Sequence, residues 1–360
     1  MAFMKFASYS DGSRDGQLVV VSRDLTQAHY ATHVASRLQQ VLDDWNYLSP
    51  QLQDLYDSLN AGRARHAFAF DPQRCMAPLP RAFSQVQAYA YPSHLELVTP
   101  IAQTAQAPRQ WSLHLVQCAG DQLWGPQASV ALASEALGAD FETQWGIITA
   151  DIPAGASAER ALDGVRLLVL AQSVVLRNVA AGDDWNPAAN VVARPGVAFA
   201  PIAITPDELG DAWQRGRVQL SLATSWNGRK VGMADMGADL PWHAGHILSQ
   251  LATTRPVRTG TLVTVGPVSN KGTEKKSTLE WPKGYHSIAQ KRGMETLLDG
   301  KPATDYLRFG DTVRSEAKGS DGRSVFGAVE LELVTVQRKT HAQAGATVEV
   351  TQAHPPEPGE

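Results

Sequence analysis

The pattern of hydrophobic and polar positions near the start of the chain predicts a small module of strands and helices. Residues 4–24 contain two apolar runs joined by turns of Asp and Gly, which predicts a β-hairpin. Residues 32–62 carry apolar side chains at helical spacing, and the Ser49-Pro50 pair predicts a break between two helices. Because the segment 74–82 is rich in Pro, we interpret it as a linker, so residues 1–75 are predicted to form a small β-rich N-terminal domain.

Beyond the linker the pattern predicts a domain built mostly of strands. Apolar runs bounded by turn residues occur at 146–152, 167–178, 218–231, 260–269 and 310–334. Two short helices are also predicted, one capped by Ser157 and one over residues 244–254. Residues 336–360 are polar and rich in Pro, which predicts a disordered tail. The predicted fold class is therefore mostly β, of the α+β type, with residues 76–335 forming the larger domain.

One predicted strand departs from the apolar pattern. In the sequence DFETQWGII, residues 140–148, successive side chains point to opposite faces of the sheet. Phe141 and Trp145 therefore share one face, which is typical of a core, whereas Glu142 and Gln144 share the other. A strand with a purely structural role would carry Val or Ile at these two positions. We therefore predict that the polar face looks at water or into a functional site.

Composition narrows the class of protein further. The chain has 360 residues, of which 43% are hydrophobic and 19% charged, which is typical of a globular protein. A net charge of −4 and the lack of a large basic block argue against nucleic acid as a partner. Cys75 and Cys118 are too few for a disulfide framework or a cysteine zinc site. Because the sequence has no long apolar run and its N-terminus is unlike a signal peptide, we expect a cytoplasmic protein without membrane contact.

A wider set of stretches shares its pattern with one known family. They are DGSRDGQLVVVSRD at residues 11–24, YPSHLEL at 91–97, DFETQWGIIT at 140–149, RLLVLAQSVVLRN at 166–178, ARPGVAFAPIAITPDELGDAW at 193–213, VSNK at 268–271 and LRFGDTVR at 307–314. Together they resemble the fumarylacetoacetate hydrolase family in its longer bacterial form. The resemblance implies a small β-rich N-terminal domain, a twisted β-roll domain after it, and assembly as a homodimer.

The resemblance also implies a divalent metal, usually Mg²⁺, at the polar face of the strand. In the family this metal is held by a Glu-x-Glu pair on one strand and by an Asp further along the chain. Glu142 matches the first Glu, but Gln144 occupies the second position and Ser173 the position of the Asp. Mg²⁺ prefers hard oxygen ligands, usually carboxylates, and one charge contact at 4 Å contributes about 4 kcal/mol at an effective dielectric of ~20. The two neutral replacements therefore predict a site without metal, and no cofactor is expected.

Further roles follow from the same resemblance. His94 matches the catalytic His of the family's lid, and Glu96 is the nearest carboxylate that could assist it. Arg194 replaces a family lysine before a proline and adds a planar fork that can hold a carboxylate. The predicted catalytic residues are therefore His94, Glu96 and Arg194. The predicted substrate-binding residues are Glu142, Gln144, Ser173, Gly266 and Lys271.

Two functions from different classes fit these residues. The first is a metal-independent enzyme of the lyase, isomerase, cyclase or hydrolase type, which uses acid–base chemistry on a small carbonyl or carboxylate substrate, and specialised biosynthesis would suit so altered a site. The second is a non-catalytic binding or scaffold homologue that has kept the fold and lost the metal site. An ordinary Mg²⁺ hydrolase with a degraded site is a third interpretation. His94 together with Arg194 favours the enzyme, because a scaffold needs neither.

Overall fold

The computed structural model of the chain describes residues 3–99, 113–180, 191–275 and 278–336. All of the predicted disordered tail except residue 336 lies outside these ranges. Within them, no helix combines the length and the hydropathy that a membrane crossing requires.

Strands dominate the structure, and most of them belong to one large sheet, which has 12 strands in the described part of the chain. Its strands are β1 (Lys5–Tyr9), β2 (Gln17–Val21), β3 (Gln27–Tyr30), β4 (Phe68–Ala69), β5 (Gln85–Tyr89), β6 (His114–Cys118), β7 (Leu123–Trp124), β9 (Ala139–Thr149), β10 (Val165–Leu176), β11 (Gly196–Phe199), β12 (Ala203–Ile204) and β17 (Leu262–Val265). A smaller sheet contains β8 (Gln127–Leu132), β15 (Ser221–Trp226), β16 (Arg229–Asp235), β20 (Thr312–Lys318) and β21 (Ser324–Thr335). Two separate antiparallel pairs are β13 (Trp213–Gln214) with β14 (Arg217–Val218), and β18 (Thr273–Lys275) with β19 (Thr278–Glu280).

The helices are short, apart from two that pack on the sheets. Those in the described ranges are α1 (Leu38–Asp43), α2 (Trp45–Asn60), α3 (Pro92–Val98), α4 (Ala158–Leu162), α5 (Arg177–Ala180), α6 (Ala244–Leu251) and α7 (Ile288–Asp299). Single 3₁₀ segments occur at Pro72–Arg74, Glu135–Leu137 and Pro206–Ala212.

The strand order of the large sheet brings two polar strand faces together. Across the sheet the order is β4-β3-β2-β1-β12-β10-β9-β17-β5-β6, with β11 beside β10 and β7 beside β11. The long strands β9 and β10 run antiparallel, and Glu142 lies opposite Ser173. β17 lies between β9 and β5, so Gln87, Thr264 and Gly146 form one row across the three strands. The polar residues of β5 and β9 therefore lie on the same side of the sheet.

Two hydrophobic cores lie on the two faces of this sheet. On one face Leu52 of α2 belongs to the same core as Ile148 of β9. On the other face Trp145 of β9 shares a core with Leu222 of the smaller sheet. Because Glu142 and Ile148 are an even number of residues apart on β9, their side chains point to the same face of the sheet. Glu142 therefore lies on the face that α1 and α2 cover, but nearer the start of the strand.

The N-terminal strands continue the sheet of the larger domain. β1 pairs antiparallel with β12, with Phe6 opposite Ala203. The sheet thus crosses the boundary at residue 75 that the sequence suggests, and that boundary stays a prediction.

The predicted fold class is confirmed, and several local predictions hold as well. The β15–β16 hairpin turns at Asn227 and Gly228, whose φ angles of +48° and +75° are those of a tight hairpin turn. The hydroxyl of Ser157 caps α4 by accepting a hydrogen bond from the backbone of Arg160. The predicted helix break at Ser49-Pro50 is wrong: the chain bends at Asp44, and Pro50 lies inside α2, where it removes one backbone donor.

Replacing Leu52 by Ala should lower the free energy of unfolding by about 2–5 kcal/mol, because this fully buried side chain would leave a cavity between α2 and the sheet. The matched control is Gln51→Ala on the exposed side of the same helix, which should change stability by less than about 0.5 kcal/mol. Urea unfolding measures both. Equal losses in the two variants would contradict this packing.

Candidate active site

The carboxylate of Glu142 is the centre of a buried polar cluster, since its side chain has no exposed surface. Its Oε1 accepts a hydrogen bond from Nη2 of Arg177 at 2.7 Å, and its Oε2 accepts one from Nε2 of Gln87 at 2.5 Å. The hydroxyl of Tyr89 lies 3.3 Å from both oxygens. Arg194 adds a longer ion pair, with 3.7 Å between Nη1 and Oε2. Glu142 is thus surrounded by donors from other elements of the fold.

The guanidinium of Arg194 is fixed by two neighbours from β5. Nη1 donates to Oε1 of Gln87 at 2.6 Å, and Nη2 donates to the hydroxyl of Tyr89. The same Gln87 amide donates to Glu142, so it links the guanidinium to the carboxylate. Nε of Arg194 is buried and has no partner among the described residues.

Asp140 holds the second guanidinium, Arg177, and the start of helix α7. Nε and Nη2 of Arg177 donate to Oδ2 of Asp140 at 2.9 and 2.8 Å. The Ser287 hydroxyl and the N–H groups of Ile288 and Ala289 donate to the same carboxylate at 3.0, 2.6 and 3.1 Å. An anion at a helix N-terminus satisfies free N–H groups and interacts favourably with the helix dipole. One carboxylate therefore joins β9, α5 and α7.

His94 lies against the same cluster, in helix α3. It is 1% exposed, and its ring stacks on Tyr89 with 5.5 Å between centroids and 10° between planes. Its Nδ1 lies 3.2 Å from Nε2 of Gln290 in α7. Burial is the main reason that the pKa of His94 is lowered to about 3, and the charge of Glu142 opposes this only in part. The imidazole is therefore neutral at neutral pH.

The charges of the cluster balance. Burial alone raises the pKa of Glu142, but Arg177 and Arg194 outweigh it and lower that pKa to about 2. Burial also raises the pKa of Asp140. We nevertheless assign Asp140 as an anion, because it pairs with the Arg177 guanidinium and accepts from the N–H groups of Ile288 and Ala289, none of which can accept a proton. Burial raises the pKa of Tyr89 to about 12, so the phenol stays neutral and two carboxylates face two guanidiniums.

Gln144, Ser173 and Gly266 lie together on adjacent strands or beside them, and their role in substrate binding stays a prediction. Nε2 of Gln144 donates to the hydroxyl of Ser173. Oε1 of Gln144 is buried and has no partner among the described residues. Gly266 packs so closely that a Cβ there would come within 2.4 Å of Cβ of Gln144. Only Gly allows this approach, and it leaves one end of the Gln144 amide without a partner among the described residues.

The structure does not bring Glu96 and Lys271 into the cluster. Glu96 is exposed on α3, because two residues along a helix from buried His94 is the opposite side of the helix. Lys271 is also exposed, and its backbone N–H donates to Oδ2 of Asp239 at 3.0 Å. Among the described residues, no hydrogen bond or ion pair joins either side chain to Glu142. Their roles stay predictions, and Gln290 is the contact that the structure gives to His94 in place of Glu96.

The residues present do not fit a divalent cation. Both oxygens of Glu142 already accept hydrogen bonds, and Gln144 turns its amide nitrogen to Ser173. Nowhere in the described ranges do three or more His, Cys, Asp or Glu side chains come together as metal ligands. A cation at Glu142 would also face Arg177 at short range, and like charges repel strongly in a buried site.

Sequence reasoning missed five residues of the cluster, namely Gln87, Tyr89, Asp140, Arg177 and Gln290. A signal existed for the first two, because polar side chains alternate along QVQAY of β5 as they do along β9. Asp140 and Arg177 stand in stretches that carry the family resemblance, but a charged residue at a strand end is more often solvated. Gln290 can be recognised only once α7 packs near α3.

Acid should destabilise the protein through Glu142. Its pKa of about 2 lies below the ordinary value of 4.5, so it contributes stability above pH 4.5 that is lost as the pH falls towards 2. Glu142→Gln should therefore flatten the fall of the unfolding free energy over this range, and it should also lower stability at pH 7. Urea unfolding at a series of pH values measures this, with exposed Glu280→Gln as the control. Parallel pH profiles of the wild type and Glu142→Gln would contradict the assignment.

Comparison with known proteins covers both parts of the chain. Residues 4–81 match the family described as Fumarylacetoacetase N-terminal domain 2. Residues 86–334 match the family described as Fumarylacetoacetate (FAA) hydrolase C-terminal. No curated protein matches the chain.

Solved structures share the fold at low sequence identity. Fumarylacetoacetate hydrolase from Exiguobacterium antarcticum is 14% identical, with a TM-score of 0.61 over 93% of this chain and 100% of its own. Maleylpyruvate hydrolase from Sphingobium sp. SYK-6, in complex with manganese(II) and pyruvate, is 13% identical, with a TM-score of 0.59 over 92% and 99%. 2-Hydroxyhepta-2,4-diene-1,7-dioate isomerase from Mycobacterium marinum is 14% identical, with a TM-score of 0.56 over 94% and 100%. The match over residues 86–334 takes in most of the chain, and the chain therefore belongs to the fumarylacetoacetate hydrolase family.

Proposed function

We propose that the chain is a metal-independent enzyme of this family that carries out acid–base chemistry on a small carbonyl or carboxylate compound. The observation that carries the proposal is the pair of guanidiniums, Arg177 and Arg194, that face Glu142 at the position where the family resemblance puts a metal. A fixed positive charge is what a metal would otherwise supply to a carbonyl oxygen.

The electrostatics of the site support work without a metal. Relative to the family pattern, Gln144 and Ser173 remove two negative charges, which equals the charge of one Mg²⁺. The charges that remain, on Asp140, Glu142 and the two arginines, cancel. Adding Mg²⁺ would leave two uncompensated positive charges in a buried site, and uncompensated buried charge is costly.

The arginines, rather than the carboxylates, face outward. The side chains of Arg177 and Arg194 keep 19% and 10% of their surface exposed, whereas Asp140 and Glu142 have none. A ligand that reaches the cluster therefore meets positive charge first. A guanidinium can hold a carboxylate through paired N–H groups, and it can stabilise the negative charge that develops on a carbonyl oxygen when a neighbouring C–H loses its proton.

Each residue then has a distinct task. Arg194 and Arg177 bind and polarise the substrate oxygen, and Glu142 fixes both of them. His94 is the group that gives hydrogen-bond or proton chemistry beside the ring of Tyr89. Gln144 offers its free Oε1 to a donor on the substrate, with Ser173 and Gly266 setting its place. The homodimer, the cytoplasmic location and the role in specialised biosynthesis remain parts of the proposal.

A binding or scaffold subunit is a second candidate, and one observation favours it. Both terminal nitrogens of Arg194 donate to Gln87 and Tyr89, and only 10% of the side chain is exposed, so little of the guanidinium is open to a ligand. A surface cleft of about 680 Å³ is lined by Leu38 of α1 and Phe83 among others, and by none of the residues of the cluster. A partner could therefore bind there without reaching Glu142. A scaffold would keep the cluster closed at all times, whereas an enzyme must exchange some of these bonds for bonds to its substrate.

The purified protein should carry no stoichiometric Mg²⁺, Mn²⁺ or Ca²⁺ after dialysis without chelator, because the ligand positions are neutral or occupied. Elemental analysis measures this. One equivalent of bound metal would overturn the metal-independent mechanism. As the converse experiment, Gln144→Glu combined with Ser173→Asp should give Mg²⁺ binding that calorimetry detects, since it restores the two anionic ligands of the family pattern.

The protein should speed the exchange of C–H for C–D next to a carbonyl in D₂O containing EDTA. Pyruvate is the simplest probe with both a carbonyl and a carboxylate, and ¹H NMR follows its methyl signal within a panel of 2-oxo acids and β-dicarbonyl compounds. His94→Ala should lower the rate for the best compound by about 10²–10³, because it removes a hydrogen-bond donor to the carbonyl oxygen. Arg194→Lys should lower it as well, because a point charge does not replace a bidentate fork.

Arg166→Lys is the matched control for the arginine change. Arg166 is partly buried and packs over Trp45, away from the cluster, so this variant should keep the wild-type rate. Wild-type rates in His94→Ala and Arg194→Lys would place the chemistry elsewhere. If no compound of the panel exchanges and none raises the melting temperature of the protein, the scaffold is favoured.

A further inference from the structure

The contacts of Gln290 determine how its side-chain amide is turned. Its Oε1 accepts a hydrogen bond from the backbone N–H of His286 at 2.8 Å. Its Nε2 donates to the backbone carbonyl of Val268 at 3.1 Å. A backbone N–H can only donate and a backbone carbonyl can only accept, so the two contacts together exclude the flipped amide.

This orientation determines the tautomer of His94. The atom of Gln290 that lies 3.2 Å from Nδ1 of His94 is Nε2, which is a donor and has no lone pair to offer. Nδ1 must therefore be the accepting, unprotonated nitrogen, and the proton of the neutral ring lies on Nε2. Both side chains are only 1% exposed, so water cannot replace this contact.

We propose that Gln290 is a positioning residue that holds His94 as the neutral imidazole with its proton on Nε2. Resting on the function proposed above, we infer that His94 acts on the substrate as a hydrogen-bond donor to its carbonyl oxygen. A neutral imidazole can polarise a carbonyl in this way without becoming charged. The proton stays on His94 throughout, so no proton transfer to this ring is required.

The arrangement separates this site from one that activates water through a histidine. Such a histidine needs a free lone pair facing the water and a carboxylate behind it that stabilises the imidazolium. Here the lone pair on Nδ1 is covered by an amide donor, and Glu96, the carboxylate that the sequence suggested, lies on the exposed side of α3. The geometry thus disfavours hydrolysis by a His94-activated water.

Burial is what keeps the ring of His94 neutral. It lowers the pKa of His94 most, the charge of Glu142 opposes it, and Arg177 and Arg194 lower that pKa further. Tyr89, which stacks on the ring, is neutral. The amide contact and the surroundings therefore both disfavour the imidazolium.

Long-range ¹H–¹⁵N correlation spectra of deuterated protein with ¹⁵N-labelled histidine test this directly, because they distinguish protonated from unprotonated ring nitrogens without any substrate. His94→Gln assigns the signal. The wild type should show Nδ1 unprotonated and Nε2 protonated from pH 5 to 9. His243 gives an internal reference, since its Nδ1 accepts a hydrogen bond from the backbone N–H of Gly245 at 3.1 Å.

Two variants separate the role of Gln290 from general packing. Gln290→Met keeps the length of the side chain and removes the donor, so both tautomers of His94 should appear. Gln290→Glu places a carboxylate behind Nδ1, so that nitrogen should become protonated and the pKa of His94 should rise towards or above its ordinary value of 6.5. If Gln290→Glu does not fold, the wild-type and Gln290→Met spectra decide.

A wild-type His94 protonated on Nδ1, or one that titrates near pH 6.5, would overturn the proposal. An unchanged single tautomer in Gln290→Met would also overturn it, because the amide would then not be the cause. These spectra do not depend on turnover, so a failure to find any substrate would count against the enzyme and leave the tautomer assignment standing.

Discussion

A carboxylate that has lost all contact with water makes strict demands on what surrounds it. Glu142 has no exposed surface, and an unpaired charge in that position would cost several kcal/mol. Its compensation comes from Gln87 and Tyr89 on β5, from Arg177 at the start of α5, and from Arg194 before β11. Each donor needs a further partner in its turn, so the requirement spreads outward from one side chain.

The chain of partners ends at secondary structure. Arg177 is held by Asp140, and Asp140 is held by the N-terminus of α7. Gln290, in the first turn of α7, reaches the ring of His94 in α3. The position of α7 along the sheet therefore sets two things together, the orientation of a guanidinium and the protonation pattern of an imidazole. A rigid hydrogen-bonded network of this kind keeps its polar groups preorganised, which is what stabilisation of a developing charge requires.

The sequence predicted those parts of the structure that depend on local pattern. Alternation along β9 showed that Glu142 and Gln144 share a face, and turn residues showed the β15–β16 hairpin, because both signals lie within a few neighbouring residues. The resemblance matched Gln144 and Ser173 to ligands of one metal, which implied that the two lie close together. What escaped prediction depends on tertiary packing. Nothing near Glu96 in the sequence shows that it faces solvent, or that an amide from a distant helix contacts His94. The position of the helix break also escaped prediction, because the chain bends at Asp44 and α2 continues through Pro50.

The pairing of β1 with β12 has a consequence for how the chain is made. The backbone of Met4 bonds to Thr205, 201 positions further along. A ribosome releases the first strand long before it has synthesised the strand that covers its edge, and contacts of such long sequence separation close slowly. Until that moment the nascent hairpin of β1 and β2 presents open backbone donors and acceptors on the β1 side, which is the kind of edge that recruits other chains. Completion of the N-terminal unit is thereby deferred until Ala203 has been synthesised, and a nascent chain that stalls earlier leaves that edge open.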